Sequence, residues 1–144
     1  MFADTSEKPS WMNEIAEGAV LMFRFPIEAP EPGQMPKARP CIVVRIEHKD
    51  GQRLAHLAYA TSVFHGRFRG LQITIATDDG LAAAGLHRPT RVELERQITV
   101  RLDDSRFDVS RKEGTPVIGR LTPADLQALR RQDGRRRAAL RRAA

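Results

Sequence analysis

Short apolar stretches separated by turn residues run along most of this chain. Residues 19–25 are almost continuously apolar, which predicts a first strand that is mostly buried. Residues 26–38 contain four prolines and Gly33, so they predict a long loop, and loops of that length in small domains are often functional. Residues 41–47 begin with four apolar side chains and predict the second strand.

The next stretches predict a hairpin and three more strands. Asp50-Gly51 suits the positive φ angles of a tight turn between the second strand and a third at residues 53–60. That third strand is fairly apolar on both faces, so we expect it at the centre of the sheet. Alternating apolar positions predict a fourth strand at residues 71–75 and a fifth at residues 91–100.

The segments that flank the fifth strand are less regular. Residues 77–80 predict a turn, and residues 81–86 predict one short helical turn that Gly85 ends. Residues 101–116 are charged, with Phe107 and Val109 as the expected anchors.

The clearest helix signal lies near the end of the chain. Thr122 suits an N-cap, Pro123 suits the first helical position, and Asp125 follows three residues after the cap. Leu126 and Leu129 then fall on one helical face. Five short strands, close turns and one terminal helix predict a mainly β fold with a C-terminal helix, built as a small, strongly curved sheet or barrel.

The length of 144 residues suits one domain with a modest core. We divide the chain into a polar N-terminal arm at residues 1–15, a barrel domain at residues 16–130 and an Arg-rich extension at residues 131–144. The chain has no apolar stretch of the ~20 residues that a membrane span needs, and its first ten residues lack a secretory signal. A single cysteine, Cys41, suits a reducing compartment, so we expect a cytoplasmic protein with no membrane partner.

The positive charge is concentrated at the C-terminus. Residues 130–144 contain seven arginines and one acid, so this stretch carries the +6 net charge of the whole chain, and residues 1–129 are neutral. A basic extension of this kind can contact RNA, DNA or an acidic protein, or it can simply be a solvated helix that aids solubility.

Two pairs of residues at strand ends are candidates for anion binding. Pro40 fixes its own φ angle and pushes Arg39 into an extended conformation at the start of the second strand. Arg39 either binds a phosphate in this position or ends the loop and pairs with a surface carboxylate. Thr61-Ser62 follows the third strand, where the hydroxyl groups can bind a phosphate or form local turn hydrogen bonds.

The order of these parts resembles the PemK/MazF family of toxins from bacterial toxin–antitoxin systems. The resemblance covers about residues 16–130 and is carried by Gly18-Ala19-Val20, Lys37-Ala38-Arg39-Pro40 with Cys41-Ile42-Val43-Val44, Thr61-Ser62, Gly85-Leu86, and Ile118-Gly119-Arg120-Leu121-Thr122. It implies a small SH3-like barrel with a C-terminal helix, usually a homodimer. It also implies a metal-independent endoribonuclease that cleaves single-stranded RNA and is held inactive by an antitoxin protein.

The resemblance also implies roles for individual residues. Cleavage by the ribose 2′-hydroxyl needs a proton acceptor, a proton donor and positive charge at the phosphate, and arginine can supply that charge without a metal. Arg39 resembles the family's phosphate-stabilising, acid/base arginine, and Thr61 resembles its phosphate-positioning hydroxyl residue. Ser62 can donate a second hydrogen bond. We therefore expect these three residues at the catalytic centre and no cofactor.

The predicted RNA-binding residues are Lys37 before the Arg-Pro pair, Arg91 in the fifth strand, and the basic residues of the loop after Thr61-Ser62, which are His65, Arg67 and Arg69. Aromatic and basic side chains in that loop can stack on bases, and its imidazole can move protons, although the loop can equally be an edge segment anchored by two phenylalanines. No His, Cys and Asp cluster has metal-ligand spacing, so we expect no metal.

Two positions depart from the family pattern, and the first is Ala38, which stands before Arg-Pro where the family sometimes has a polar or charged residue. Many members carry a second arginine in the fifth strand, where the alternation of Val92 and Leu94 places Glu93 in this chain. Glu93 either acts as a general base or repels the RNA backbone, and Arg91, two residues earlier on the same face, is positioned to replace the missing charge. The alternatives to a nuclease are therefore a catalytically inactive barrel that binds nucleic acid, and an adaptor that grips an acidic protein.

Overall fold

A computed structural model describes residues 9–26, 32–63 and 70–143 of the chain. A 3₁₀ turn at Ser10–Glu14 opens the described part, which holds six strands and two α-helices. In chain order they are β1 (Ala19–Phe23), β2 (Arg39–Lys49), β3 (Gln52–Thr61), β4 (Gln72–Ile75), α1 (Asp78–Ala84), β5 (Thr90–Arg101), β6 (Val117–Arg120) and α2 (Pro123–Ala143).

The six strands form one antiparallel sheet in the order β4-β5-β3-β2-β1-β6, curled into a half-barrel. The predicted mainly β fold with a C-terminal helix is confirmed at this level. Asp50 and Gly51 join β2 to β3 with φ angles of 51° and 76°, as the hairpin signal predicted. β3 lies between β2 and β5, in the central position expected from its two apolar faces.

A bulge in β5 bends the sheet. Ala58 of β3 pairs with Gln97, and the next residue, Tyr59, pairs with Glu93, so three residues of β5 have no partner on β3. The Gln97 side chain donates a hydrogen bond across this bulge to the Leu94 carbonyl at 2.7 Å. Extra residues on one strand increase its bend and twist, and this helps the sheet to curl.

Strand alternation divides the core into two layers, one on each side of the sheet. The first layer is covered by the N-terminal segment, whose Met12 and Ile15 are buried with Phe107 from the segment after β5. Its strand residues include Leu21, Phe23, Cys41, Val43, Leu57 and Tyr59. The second layer lies under the two helices and includes Val20, Ile42, Ala58, Ala60, Val92, Leu94, Ala84 and Leu129.

An ion pair between Asp104 and Arg106 lies within the segment after β5. Arg106 donates two hydrogen bonds to Asp104, at 3.0 and 2.9 Å, and its guanidinium lies 5.1 Å from the ring centroid of Phe23. These hydrogen bonds lower the pKa of Asp104. Phe107 is an anchor as predicted, whereas Val109 is exposed, so that half of the prediction was wrong.

Two elements differ from the sequence prediction. Residues 77–80 are not a free turn: the Thr77 side chain accepts a hydrogen bond from the Gly80 amide at 2.9 Å and caps α1. β6 is an additional strand, which pairs with the far side of β1. The end of α1 packs directly on β6, because Gly85 and Gly119 leave no side chain between the two backbones.

The helix α2 begins where the sequence predicted and continues to Ala143 without a break. Thr122 accepts a hydrogen bond from the Asp125 amide at 3.2 Å, which caps the first turn. Leu129 packs into the second core layer, and the buried Asp133 accepts a hydrogen bond from Gln97 at 3.1 Å. The helix is therefore fixed to the bulged part of β5.

Candidate functional site

Arg39 stands at the start of β2, where the long loop enters the sheet. Pro40 pairs with Met22 near the end of β1. Arg24, just after β1, donates a hydrogen bond to the Pro36 carbonyl at 3.0 Å and ties the loop to this corner. The proline and the tether together define where the Arg39 backbone enters the sheet.

The pairing of β2 with β3 brings the two predicted anion-binding pairs together. Cys41 pairs with Tyr59, so the residues two positions further toward the edge, Arg39 and Thr61, end neighbouring strands. Sequence-distant residues thus meet at one corner of the sheet through antiparallel register.

This corner contains a cavity of about 540 Å³. Its floor continues the second core layer beyond the helices and consists mainly of apolar residues. The lining residues are Met22, Arg39, Pro40, Ala60, Thr61, Ser62, Val63, Gly85, Leu86, His87, Arg88, Thr90 and Ile118. By strand alternation Pro40 and Ala60 face this layer, whereas Arg39 and Thr61 alternate to the other side and lie at the rim.

All three predicted catalytic residues line this cavity. Ser62 is exposed, and Arg39 and Thr61 are half-buried. The Thr61 hydroxyl forms a local turn, because it accepts a hydrogen bond from the Val63 amide at 3.1 Å and lies 3.3 Å from the Val63 carbonyl. Both interpretations of Thr61 therefore have support: it lines the cavity, and it forms local turn hydrogen bonds.

Three further polar residues of the lining were not singled out from the sequence. His87 and Arg88 are exposed in the turn between α1 and β5, and the buried Thr90 donates a hydrogen bond to the Arg88 carbonyl at 2.8 Å. The sequence holds a signal for them, because Arg88-Pro89 repeats the Arg-Pro pair of Arg39-Pro40 before another strand. The arginines of both Arg-Pro pairs line the same cavity.

Two of the predicted RNA-binding residues, Lys37 and Arg91, are described and do not line the cavity. Lys37 is exposed in the loop before β2 and does not line the cavity. Arg91 pairs with Thr61 on the neighbouring strand, and its guanidinium lies 3.4 Å from a Glu93 carboxylate oxygen. The predictions for His65, Arg67 and Arg69 concern residues outside the described part of the chain.

Glu93 is buried away from the cavity. Only 2 % of the residue is exposed, and its second carboxylate oxygen lies 3.1 Å from the Arg96 Nε. Arg96 also lies over the ring of Tyr59, with its guanidinium carbon 5.6 Å from the ring centroid. The Glu93 charge is therefore opposed by two guanidinium groups in the first core layer, on the other side of the sheet from the cavity floor.

The environment of Arg39 includes the single cysteine. Burial raises the pKa of the Cys41 thiol to about 12, although the Arg39 charge partly offsets this effect. The sulfur lies 3.6 Å from the Arg39 carbonyl. Cys41 is thus a neutral core residue and not a nucleophile at neutral pH.

Within the described ranges, no three His, Cys, Asp or Glu side chains are placed to hold a metal ion. None of the helices described combines the length and apolar character needed to cross a bilayer. Comparison with protein-family models gave no match, and comparison with curated proteins gave none either. Any function must therefore be argued from the cavity and its residues.

Proposed function

We propose that this chain is a PemK/MazF-like protein that binds single-stranded RNA in the cavity and cleaves it without a metal ion. The observation that carries the proposal is the meeting of Arg39, Thr61 and Ser62 with a second arginine, Arg88, around one cavity. A phosphodiester needs cationic and hydroxyl donors together, and guanidinium groups bind phosphate oxygens with two hydrogen bonds.

The rest of the lining suits a nucleotide better than a bare anion. Met22, Leu86 and Ile118 provide apolar surface next to the charged rim. Bases stack on apolar and aromatic surfaces while their phosphates contact cationic groups, and such binding tolerates many sequences. A cavity of about 540 Å³ lies within the range of small-molecule sites and is large enough for a nucleotide.

The chemistry requires a proton acceptor, and His87 is the imidazole in the lining. In the proposed reaction His87 accepts the 2′-hydroxyl proton while that oxygen attacks the adjacent phosphorus. The bond from phosphorus to the 5′ oxygen breaks, which leaves a 2′,3′-cyclic phosphate and a 5′-hydroxyl that takes up a proton from water. Arg39 and Arg88 stabilise the extra negative charge on the phosphate.

The burial of Glu93 removes one objection to this function. A carboxylate with an unopposed charge near the cavity would repel an RNA phosphate, but Glu93 is buried and its charge is opposed by Arg91 and Arg96. Glu93 does not line the cavity, whereas His87 does, so we assign the role of general base to His87 instead.

The local hydrogen bonds of Thr61 favour a second candidate function. A hydroxyl that is already engaged with Val63 must reorient before it binds a phosphate. A barrel that binds RNA without cleaving it needs no such reorientation. The SH3-like assignment, the homodimer, the antitoxin partner and the cytoplasmic location are further proposals that rest on the resemblance.

Cleavage in EDTA separates the two functions. We expect the wild-type protein to cut a single-stranded RNA to products with cyclic phosphate ends, and Arg39→Ala and His87→Gln each to reduce the rate at least tenfold, which is about 1.4 kcal/mol of transition-state stabilisation. Arg111→Ala, a change in an exposed arginine of another turn, is the control. Equal rates for Arg39→Ala and wild type would refute the proposed site. RNA that is bound but stays intact would establish the binding function.

A further inference from the structure

The second half of α2 carries charge but no core residue. The buried residues of the helix are Leu129 and Asp133, both before Gly134. Residues 134–143 hold five arginines and no acid. Because the helix is continuous, these arginines are held in fixed relation to one another and are not distributed along a random coil.

Six of the seven arginines at residues 130–144 fall into two groups, and Arg141 belongs to neither. Those of the first group are paired with acids: Arg130 with Glu17, whose carboxylate raises the pKa of the guanidinium, and Arg136 and Arg137 with Asp133, at 3.9 and 3.3 Å. The Arg130–Glu17 pair links the helix to the segment before β1, and the two pairs with Asp133 lie within the helix.

The second group forms what we call the arginine stripe, which consists of Arg131, Arg135 and Arg142. At 3.6 residues per turn these three positions lie within about 40° of one another around the helix axis, over about 16 Å of its length. All three are exposed, and among the residues described none has an acidic partner. Arg135 only contacts the neutral oxygen of Gln132, at 3.3 Å.

A groove of about 490 Å³ follows the stripe between the helix and the sheet. It is lined by Leu71, Glu95, Arg135, Ala138, Ala139 and Arg142. The two alanines leave space between the flanking arginines. Glu95 stands on the sheet side, where a carboxylate can accept hydrogen bonds from the amino groups of bases, and the two arginines outnumber it.

We propose that the arginine stripe is a second RNA-binding surface, which holds the phosphate backbone of the strand outside the cavity. The choice of RNA as the partner rests on the proposed function. The stripe contains arginine and no lysine, and arginine forms the bidentate bonds that suit phosphate. A membrane partner is disfavoured, because the exposed half of the helix offers alanines beside its arginines and Leu140 is its single large apolar residue.

The test uses the full chain and a labelled 2′-O-methyl oligonucleotide, which lacks the attacking hydroxyl and cannot be cleaved. Binding is measured by fluorescence anisotropy over a series of salt concentrations. The stripe variant is Arg131→Gln with Arg135→Gln and Arg142→Gln, and glutamine keeps the helix propensity close to that of arginine. The control lowers the charge equally at exposed turn positions, with Lys49→Gln, Arg111→Gln and Lys112→Gln.

Each phosphate contact on a single strand contributes about 0.7 to the slope of log K against log salt. We therefore expect the stripe variant to lower this slope by about 2 and to weaken binding at low salt at least tenfold, while the control retains most of the wild-type slope. A slope equal to that of the control would overturn the proposal. Binding of polyglutamate that is lost in the stripe variant, with oligonucleotide binding unchanged, would also overturn it in favour of an acidic protein partner.

Failure of this proposal is distinguishable from failure of the cavity function. The salt series on the uncleavable oligonucleotide measures the stripe, whereas cleavage by Arg39→Ala measures the cavity, which the stripe does not border. If the wild-type protein cleaves nothing, the salt series still tests the stripe. If Arg39→Ala abolishes cleavage and the stripe variant binds as the control does, only the stripe proposal is lost.

Discussion

Gly85 and Gly119 mark a crossing of two backbones that leaves no room for a side chain. A Cβ atom at Gly85 would lie 2.1 Å from the Ile118 carbonyl oxygen, and one at Gly119 would lie 2.3 Å from the Ala84 carbonyl carbon. The crossing joins the end of α1 to β6 on the far side of the sheet. Since Gly85 and Ile118 also line the cavity, the same contact builds one of its walls.

Replacement of either glycine by alanine should destabilise the fold and deform the cavity. Gly119→Ala would force the two backbones apart, at a cost of about 1–3 kcal/mol for overpacking. Gly85→Ala also places an L-residue in a left-handed backbone conformation, with φ of 70°, and this costs roughly another 1–2 kcal/mol. Urea denaturation of both variants measures these losses.

Substitution of Gly51 distinguishes the stability lost through crowding from that lost through backbone strain. The Gly51 φ of 76° is close to that of Gly85, but nothing lies within 4 Å of a Cβ placed there. Gly51→Ala should therefore lose only the strain energy. If Gly51→Ala and Gly85→Ala lose equal stability, the close crossing does not contribute.

Gly134→Ala should stabilise the protein by about 1 kcal/mol, because glycine is costly within a helix. The position lies inside α2, and no atom lies within 4 Å of the added Cβ. The measurement is urea denaturation followed by circular dichroism. Gly114, with φ of 68° and equally open surroundings, provides a contrast: Gly114→Ala should destabilise. A loss of stability in Gly134→Ala would mean that the helix does not run straight through this residue.

Glu93→Gln should lower stability without lowering RNA cleavage per folded molecule. The change removes the charge that opposes Arg91 and Arg96 in the core. We expect a loss of about 2 kcal/mol, less than the roughly 3–5 kcal/mol of a fully buried pair, because Arg96 is half exposed and glutamine keeps one acceptor.

Glu95→Gln makes the same chemical change two residues away on an exposed side chain and serves as the control for stability. If the cleavage rate of Glu93→Gln falls by much more than the fraction of unfolded protein explains, Glu93 acts as a catalytic base. Thermal denaturation and single-turnover cleavage, measured on the same preparations, decide between the two outcomes.

The Asp104–Arg106 pair makes the free energy of unfolding depend on pH. Hydrogen bonds from Arg106 hold the pKa of Asp104 below its ordinary value, so the folded protein binds this proton less readily than the unfolded chain does. The resulting stability is present above the unfolded pKa of about 4 and is lost as the pH falls through the folded value. Asp104→Asn should therefore flatten the acid side of the stability curve. Asp50→Asn, the same substitution at the exposed hairpin, is the matched control variant.

Local signals predicted much of the fold. Asp50-Gly51 specified the hairpin, the two apolar faces of residues 53–60 specified a central strand, and Thr122 marked the start of the last helix. β6 was missed because it is four residues long, contains Gly119 and exposes Ile118, so it lacks the alternation that identifies a strand. The start of α1 was missed because Thr and Asp favour turns and helix caps alike.

The candidate site was partly predictable for a related reason. Arg39 and Thr61 end strands joined by a recognisable hairpin, so their meeting follows from antiparallel register. Arg88 precedes β5 and reaches the same cavity because β5 pairs with β3, with Arg91 opposite Thr61, and no local signal indicates this pairing of strands that are distant in sequence. The neutralisation of Glu93 depends on Arg96, which the bulge in β5 brings back beside it, and bulges of this size leave little trace in the sequence.

The rate at which Cys41 is modified can report how often the end of β2 beside the cavity opens. Cys41 is the single thiol of the chain, it is fully buried, and it lies two residues from Arg39 on the same strand. A thiol reagent can reach it only when the end of β2 separates from its neighbours, so the rate of modification reports that opening. A nucleotide seated against Arg39 would slow the modification by holding the strand in place, and occupancy of the cavity can thus be followed with no label on the ligand.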